Sequence, residues 1–300
     1  MIDTLCLTLQ SKAIKGHVDL MAMVGSQINV DLKKSNEYRI MGTYKNLRVY
    51  VEPTFVRIEG SLPKYYYGSN LVTLSRSEPG LIIDQLSREL GLPLQEAVVT
   101  RIDIAANIEV DNEPRSYYPS FGILSKYDRV IRRGTLYYEQ NWCKLCIYDK
   151  IAEAEKHNDP YLTDELLRTN IMRYEIRFYR DWLTHYFGRK IKAKELYGET
   201  SDVCCELVAE WFFKYEAIIK TGVMKPKFEM TVKGLLLWCL KEMSRRQNIP
   251  KLIEACGEKG DRNTARVKRE AVKLLKEYGS EPEDLVKEID LKMIECTEVY

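Results

Sequence analysis

VVTRIDIAANIEV, residues 98–110, alternates oily and ionisable side chains. Ile102, Ile104, Ala106 and Ile108 share one parity, and Arg101 and Asp103 share the other. Successive side chains of a strand point to opposite faces, so this stretch reads as a strand with one buried and one charged side. Two further stretches repeat the pattern. KLCIYDK, residues 144–150, sets Leu145 and Ile147 against Tyr148 and Lys150. IMRYEIRF, residues 171–178, sets Met172, Tyr174, Ile176 and Phe178 against Arg173, Glu175 and Arg177. If the three lie side by side, one sheet face carries two carboxylates, a tyrosine, a lysine and several arginines.

That combination suits phosphodiester chemistry. Hard cations such as Mg²⁺ or Mn²⁺ take oxygen ligands, often one or two carboxylates completed by water and phosphate oxygens, so Asp103 and Glu175 are the expected metal ligands. Tyr148 is the expected nucleophile. A phenol near its ordinary pKa of ~10 attacks poorly. Lys150 beside it, and a bound cation, would favour phenolate and stabilise the charge growing on the phosphoryl oxygens. Arg101, Arg173 and Arg177 would contact DNA. His185 is a candidate third ligand. Of the three histidines, His17, His157 and His185, no two stand one residue apart. The competing reading pairs each carboxylate with an arginine of its own strand and makes Tyr148 an ordinary half-buried strand residue.

Outward from these strands the chain divides in two. Residues 1–80 look strand-rich, with strands expected over 4–9, 46–58 and 71–76 between turn residues. Residues 81–90 repeat apolar groups at helical spacing and stop at Gly91. Residues 134–150 read as a hairpin with arms 135–139 and 144–150. Short helices are expected over 151–157 and around 164–167. Beyond 180 the pattern is helical, with amphipathic segments over 203–219, 232–246 and 264–278. The expectation is an α+β fold: an antiparallel sheet with one open, charged face and helices on the other, over residues 1–200. A helical region over 201–300 follows, as a possible DNA-binding domain. Within it Arg262, Arg266, Arg269, Lys273 and Lys276 recur every three or four residues. A basic stripe of that kind matches a nucleic-acid backbone, and it also describes a solvated helix face.

Composition narrows the class without deciding it. The 300 residues are 45% apolar and 30% charged, ordinary for a globular chain. The net charge of +2 makes no general case for nucleic acid, so that case must rest on local distribution. Twenty tyrosines against seven phenylalanines offer stacking platforms or half-buried sheet positions. No apolar run approaches the ~18 residues of a membrane span. The opening MIDTLCLTLQ reads as a first strand and not as a signal peptide, from which a cytoplasmic location and reduced cysteines are expected. Cys143 and Cys146 would point to opposite faces of a strand, against a zinc site.

Taken in order, MID, VTRIDIAANIEV, GTLYYEQNWCKLCIYDK and IMRYEIRFYRDW resemble the replication initiators of filamentous phages, the gene II and gene X type endonucleases. The chain is more distantly similar to the rolling-circle plasmid initiators of Gram-positive bacteria. The resemblance covers about residues 1–190. It implies a metal-dependent endonuclease and strand transferase, working in the cytoplasm of a bacterial host. Such an enzyme nicks one strand at an origin through a phosphotyrosine, leaves a 3′ hydroxyl to prime synthesis, and later rejoins the ends. Its partners would be origin DNA, single-stranded or supercoiled, together with a host helicase and polymerase, and no membrane. In the phage initiators the attacking tyrosine lies in a Tyr-x-Lys segment, matched by Tyr148 and Lys150. In the plasmid relatives it follows the Arg-x-Glu strand, which points to Tyr186 or Tyr179. Two other readings stand beside this one: a non-catalytic module that binds single-stranded nucleic acid, and a helical partner-binding protein whose function lies in residues 200–300.

Overall fold

The computed structural model describes residues 1–14, 19–197, 202–220, 249–256, 262–277 and 284–298, with isolated helical positions at 236, 239–240 and 243. Strands β1 (Ile2–Gln10), β2 (Asn29–Val30), β3 (Ile40–Tyr44), β4 (Leu47–Glu52), β5 (Phe55–Ser61), β6 (Val98–Glu109), β7 (Asp128–Arg132), β8 (Thr135–Glu139), β9 (Cys143–Asp149) and β10 (Ile171–Tyr179) form one antiparallel sheet. Their order is β2-β3-β4-β5-β1-β6-β10-β9-β8-β7. The three stretches that opened the sequence reading, β6, β10 and β9, are therefore adjacent and lie mid-sheet. Their register sets Arg177 opposite Asp103 and Lys144, Glu175 opposite Ala105 and Cys146, and Arg173 opposite Asn107 and Tyr148.

One side of the sheet is the core. Ile102, Ile104, Ile108, Leu145, Ile147, Met172, Tyr174, Ile176 and Phe178 are all buried there. Helices α1 (Leu20–Gly25), α2 (Leu62–Tyr67), α3 (Glu78–Leu90), α5 (Arg180–Phe187), α6 (Asp202–Glu216) and α9 (Asp284–Glu298) join that core. The Tyr174 ring lies 5.0 Å from Trp211 of α6, and the Phe178 ring 4.2 Å from Trp182 of α5. Full burial of a side chain of this size contributes about 1.5–3 kcal/mol. The core runs on through Leu207, Trp211, Ile289 and Met293, so a division at residue 200 does not coincide with a break in packing. Helices α7 (Ile249–Cys256) and α8 (Arg262–Glu277) belong instead to a small satellite cluster around Ile123, Ile249 and Ala271.

Several expected elements shift for local reasons. The 46–58 stretch is two strands, β4 and β5, divided by a turn at Pro53 and Thr54. Residues 71–76 are not a strand: the Asn70 and Leu71 carbonyls accept from the Asn107 side chain at 3.2 and 3.0 Å, a side-chain anchor in place of a ladder. The helix expected near 164–167 is a 3-10 turn, Leu166–Arg168. The 232–246 helix falls largely outside the described residues. The 81–90 helix begins three residues earlier, with Pro79 in its first turn, and ends at Gly91 with φ +61°. No described helix is long and apolar enough to cross a membrane.

Candidate active site

The ionisable side of β6, β10 and β9 faces away from the helices, and a β-bulge in β1 adds to it. Ile2 pairs with Ile104 and Leu5 with Ile102, so Asp3 and Thr4 together oppose Asp103. Two residues against one turn both side chains off strict alternation. Asp3 accordingly reaches the charged face, where its Oδ2 lies 2.9 Å from Arg173 Nη2 and its Oδ1 accepts from Ser61 at 2.8 Å. Strict parity would have sent Asp3 into the core.

The centre of this face is a ladder of charges that neutralise one another. Arg101 is bidentate on Asp103, 2.8 Å from Oδ1 and 2.6 Å from Oδ2, and also holds Glu59 at 2.8 Å. Arg177 Nε lies 2.7 Å from Glu175 Oε1 and 3.9 Å from Asp103 Oδ2, so one guanidinium stands between the two carboxylates. Arg173 Nε donates to Glu175 Oε2 at 3.2 Å, and its Nη1 to Asn107 Oδ1 at 2.9 Å. Asp103, Arg173 and Glu175 are each at most 3% exposed. The middle of this face is closed by its own ion pairs. Burial and the neighbouring Glu175 push the Asp103 carboxyl up. Burial would raise Glu175 too, but Arg177 and Arg173 outweigh it and hold that carboxyl below the ordinary range. Asp103 is thus the member of the pair that takes up a proton first.

Tyr148 stands at the edge of the ladder, half-buried, with its hydroxyl donating to Glu175 Oε2 at 3.3 Å. Burial and the Glu175 carboxylate raise its pKa well above that of a free phenol, so the resting group is neutral. Lys150 is engaged elsewhere. Asp149 caps α4 (Lys150–Lys156) by accepting from the Ala152 N–H at 2.9 Å, which makes Lys150 the first helical residue and not the last of the strand. The Lys150 ammonium is buried and is given to Asn70 Oδ1 at 2.7 Å and to Glu153, not to Tyr148. The expected placement of Lys150 beside Tyr148 is thus not seen: a helix cap turns the lysine toward the 68–77 loop.

Beyond Tyr148 the face opens into a cleft of about 350 Å³. Tyr148, Arg177, Tyr137 and Cys146 line its sheet side. Arg115, Arg133, Lys156 and His157 line the rest, with Asp149 and Glu153. A larger groove at the far wing of the sheet, over β2 to β5, holds none of these groups.

The Phage_CRI family pattern, which describes the N-terminal part of a phage replication-associated protein, matches residues 1–196. The chain belongs to that family. The resemblance read from the ordered motifs to gene II type initiators is thereby borne out. The ladder and the cleft lie wholly within the matched residues, so this Phage_CRI region contains the candidate site entire. No individual curated protein matches the chain.

Other expected residues of this Phage_CRI chain lie elsewhere. Tyr186 stacks on Trp182 at 4.6 Å, and Trp182 packs on Phe178 of the core face. Tyr186 is therefore on the opposite side of the sheet from Asp103 and Glu175. His185 is exposed on the same helix, 5.9 Å from the Trp142 ring, and does not join the carboxylates. Tyr179 does share the charged face, opposite Arg101, whose guanidinium carbon is 5.9 Å from its ring. Arg262, Arg266, Arg269 and Lys273 are exposed on α8, outside the matched residues; the Lys276 side chain lies outside the described residues. Arg173, expected on DNA, is instead enclosed by Asp3, Glu175 and Asn107. Cys143 and Cys146 do occupy opposite faces, facing Phe178 and Glu175 in turn, and both are free thiols. Asp3, Glu59, Asn70, Asn107, Arg115, Arg133 and Lys156 escape a motif reading, since contacts across strands and loops bring them in.

For a divalent cation the donor chemistry fits. Asp103 and Glu175 offer carboxylates from adjacent strands, and Arg177 already places a positive group between them. All four of their oxygens near or accept from guanidinium, and among the described residues no group of three His, Cys, Asp or Glu forms a ready metal site. A metal held by Asp103 and Glu175 would compete with Arg101 on Asp103 and with Arg173 and Arg177 on Glu175, of which Arg177, with a 30% exposed side chain, has room to turn aside.

Proposed function

We propose that this chain starts rolling-circle replication by nicking one DNA strand, with Tyr148 as the nucleophile. The supporting observation is the Tyr148 hydroxyl bonded to Glu175 inside an arginine-rich ladder that opens onto a basic cleft. Tyr148 Oη attacks the phosphorus of a scissile phosphodiester as its proton passes to Glu175 Oε2. The P–O3′ bond breaks, and the 3′ oxygen leaves and is protonated by solvent. The 5′ phosphate stays on Tyr148. Rejoining is the reverse, with a 3′ hydroxyl attacking the phosphotyrosine.

The resting ladder is balanced against this step, since Glu175 is a weak base between two guanidiniums. A phosphodiester entering the cleft meets Arg177 first and draws it away from Glu175. Glu175 then regains basicity where the phenolic proton must go, and Arg177 stabilises the charge developing on the phosphoryl oxygens. An interaction of that kind accounts for about 3–4 kcal/mol of barrier. Mg²⁺ or Mn²⁺ held by Asp103 and Glu175 would add Lewis-acid stabilisation of the same oxygens. Positioning is left to Asp3, Asn107 and Arg173, whose mutual bonds fix the Glu175 carboxylate. Lys150 acts at a distance by tying α4 to the Asn70 loop.

The test is nicking of supercoiled DNA bearing the cognate origin, with Mg²⁺ or Mn²⁺ added. The wild type is expected to yield a covalent protein–DNA adduct and Tyr148→Phe none. An adduct that survives Tyr148→Phe and vanishes with Tyr179→Phe or Tyr186→Phe would refute the assignment. Salt-sensitive single-strand binding with no adduct under any condition would leave only the binding-module reading. Metal binding is read separately, by thermal melting: Mn²⁺ alone is expected to raise the melting temperature of the wild type, and not that of Asp103→Asn.

A further inference from the structure

Three cations at the rim of the cleft come from three different elements. Arg115 is on the 3-10 helix Pro114–Ser120, Arg133 in the β7–β8 turn, and Lys156 at the end of α4. All three are exposed, and none has a carboxylate partner among the described residues. Their neighbours differ: Arg132 and Lys144 both pair with Glu139. The acids that share the cleft are engaged elsewhere. Asp149 caps α4, and Glu153 holds Lys150 and lies 3.8 Å from His157. The rim therefore presents uncompensated positive charge.

That charge is also held in place. Arg133 and Gly134 form a two-residue hairpin turn with φ +51° and +80°, the mirror-image turn that suits a right-twisted hairpin. Tyr118, on the same 3-10 helix as Arg115, donates to the Gly134 carbonyl at 2.9 Å. A Cβ on Gly134 would lie 2.8 Å from Arg115 Nη2, so the guanidinium rests directly on the turn. One hydrogen bond and one missing side chain thus set Arg115 against the turn that carries Arg133.

We propose that this rim is a seat for the backbone phosphates of single-stranded DNA that flank the scissile bond. Three separated charges beside Tyr148 and Arg177 suit a chain of phosphates better than one isolated anion. Seating a strand there would deliver the next phosphodiester to Tyr148. The assignment rests on the Tyr148 reading only for which bond is cut, not for whether a strand binds.

The experiment measures the anisotropy of a fluorescent single-stranded oligonucleotide across a salt titration. Replacing Arg115, Arg133 and Lys156 together by alanine is expected to weaken binding at low salt about tenfold or more, and to reduce the slope of log K against log salt by about 2, since each lost single-strand phosphate contact removes ~0.7. The charge-keeping pair Arg115→Lys with Arg133→Lys is expected to retain the slope. Unchanged affinity and slope in the alanine variant would overturn the proposal. So would loss of slope in the lysine pair, because the residues would then act through structure and not through charge. A protein that binds with the expected slopes but forms no adduct contradicts the nicking mechanism alone. An adduct together with an unaltered slope contradicts the seat alone.

Discussion

Glu175 is where stability and the proposed chemistry meet. Among the described residues its carboxylate is the one anion touched by both Arg173 and Arg177, and it also accepts from Tyr148. Burial would raise its pKa, but the two guanidiniums win and hold it below the ordinary range. The folded value is thus below the unfolded value of ~4.3. The stability it contributes is fully present above that pH and is lost as pH falls through the folded value. Glu175→Gln strands two buried or half-buried cations, so it is expected to cost about 3–5 kcal/mol in urea unfolding at neutral pH. That deficit should shrink below pH ~4 as the wild type loses the same contribution. A deficit independent of pH would show that the carboxylate is not the balancing charge. Asp103 works in the opposite sense: its pKa is raised, so ionising it as pH rises costs stability. Lys150→Ala is expected to lower stability by about 1–3 kcal/mol, because Asn70 and Glu153 lose a buried donor. A melting temperature equal to the wild type would return Lys150 to a purely chemical role beside Tyr148.

Among the elements, the β7–β8 turn and the β1 bulge decide which side chains reach the site. Gly134→Ala puts a Cβ at φ +80°, a conformation that costs an L-residue about 1–2 kcal/mol, and pushes Arg115 off the turn. The expected result is a modest drop in melting temperature with a reduced salt slope for single-stranded DNA. A drop in melting without the change in slope would show that Arg115 does not depend on the turn. Such elements mark the limit of reading from sequence. The strands β6, β9 and β10 were legible because each keeps its apolar side chains mainly to one face and its charges to the other, and a one-residue slip would turn every charge into the core. Asp3 was not legible, because a bulge breaks parity and leaves no mark in IDTLCLTLQ. Lys150 was misplaced because parity was carried one residue past Asp149, where an N-cap begins a helix. The side of the sheet on which Tyr186 lies was not legible, since only the packing of α5 on the core face shows it.

At the scale of the whole molecule, the matched residues 1–196 are not packed alone. Trp211 of α6 is fully buried against Tyr174, on the reverse side of the strand that carries Glu175. Trp211→Ala is expected to cost about 3–5 kcal/mol and to lower the melting temperature of the entire protein, although it lies outside the family match. A variant that leaves the melting of the sheet unchanged would show that the helices form an independent unit. The two sides of the sheet thus differ: helices pack on one face, and on the other the charges balance one another, a balance that a phosphate would disturb in the proposed mechanism. That balance is most directly examined by digesting the covalent protein–DNA adduct and sequencing the modified peptide by mass spectrometry. The account predicts the phosphodeoxynucleotide on Tyr148. A modification on Tyr186, across the sheet from Asp103 and Glu175, would contradict it.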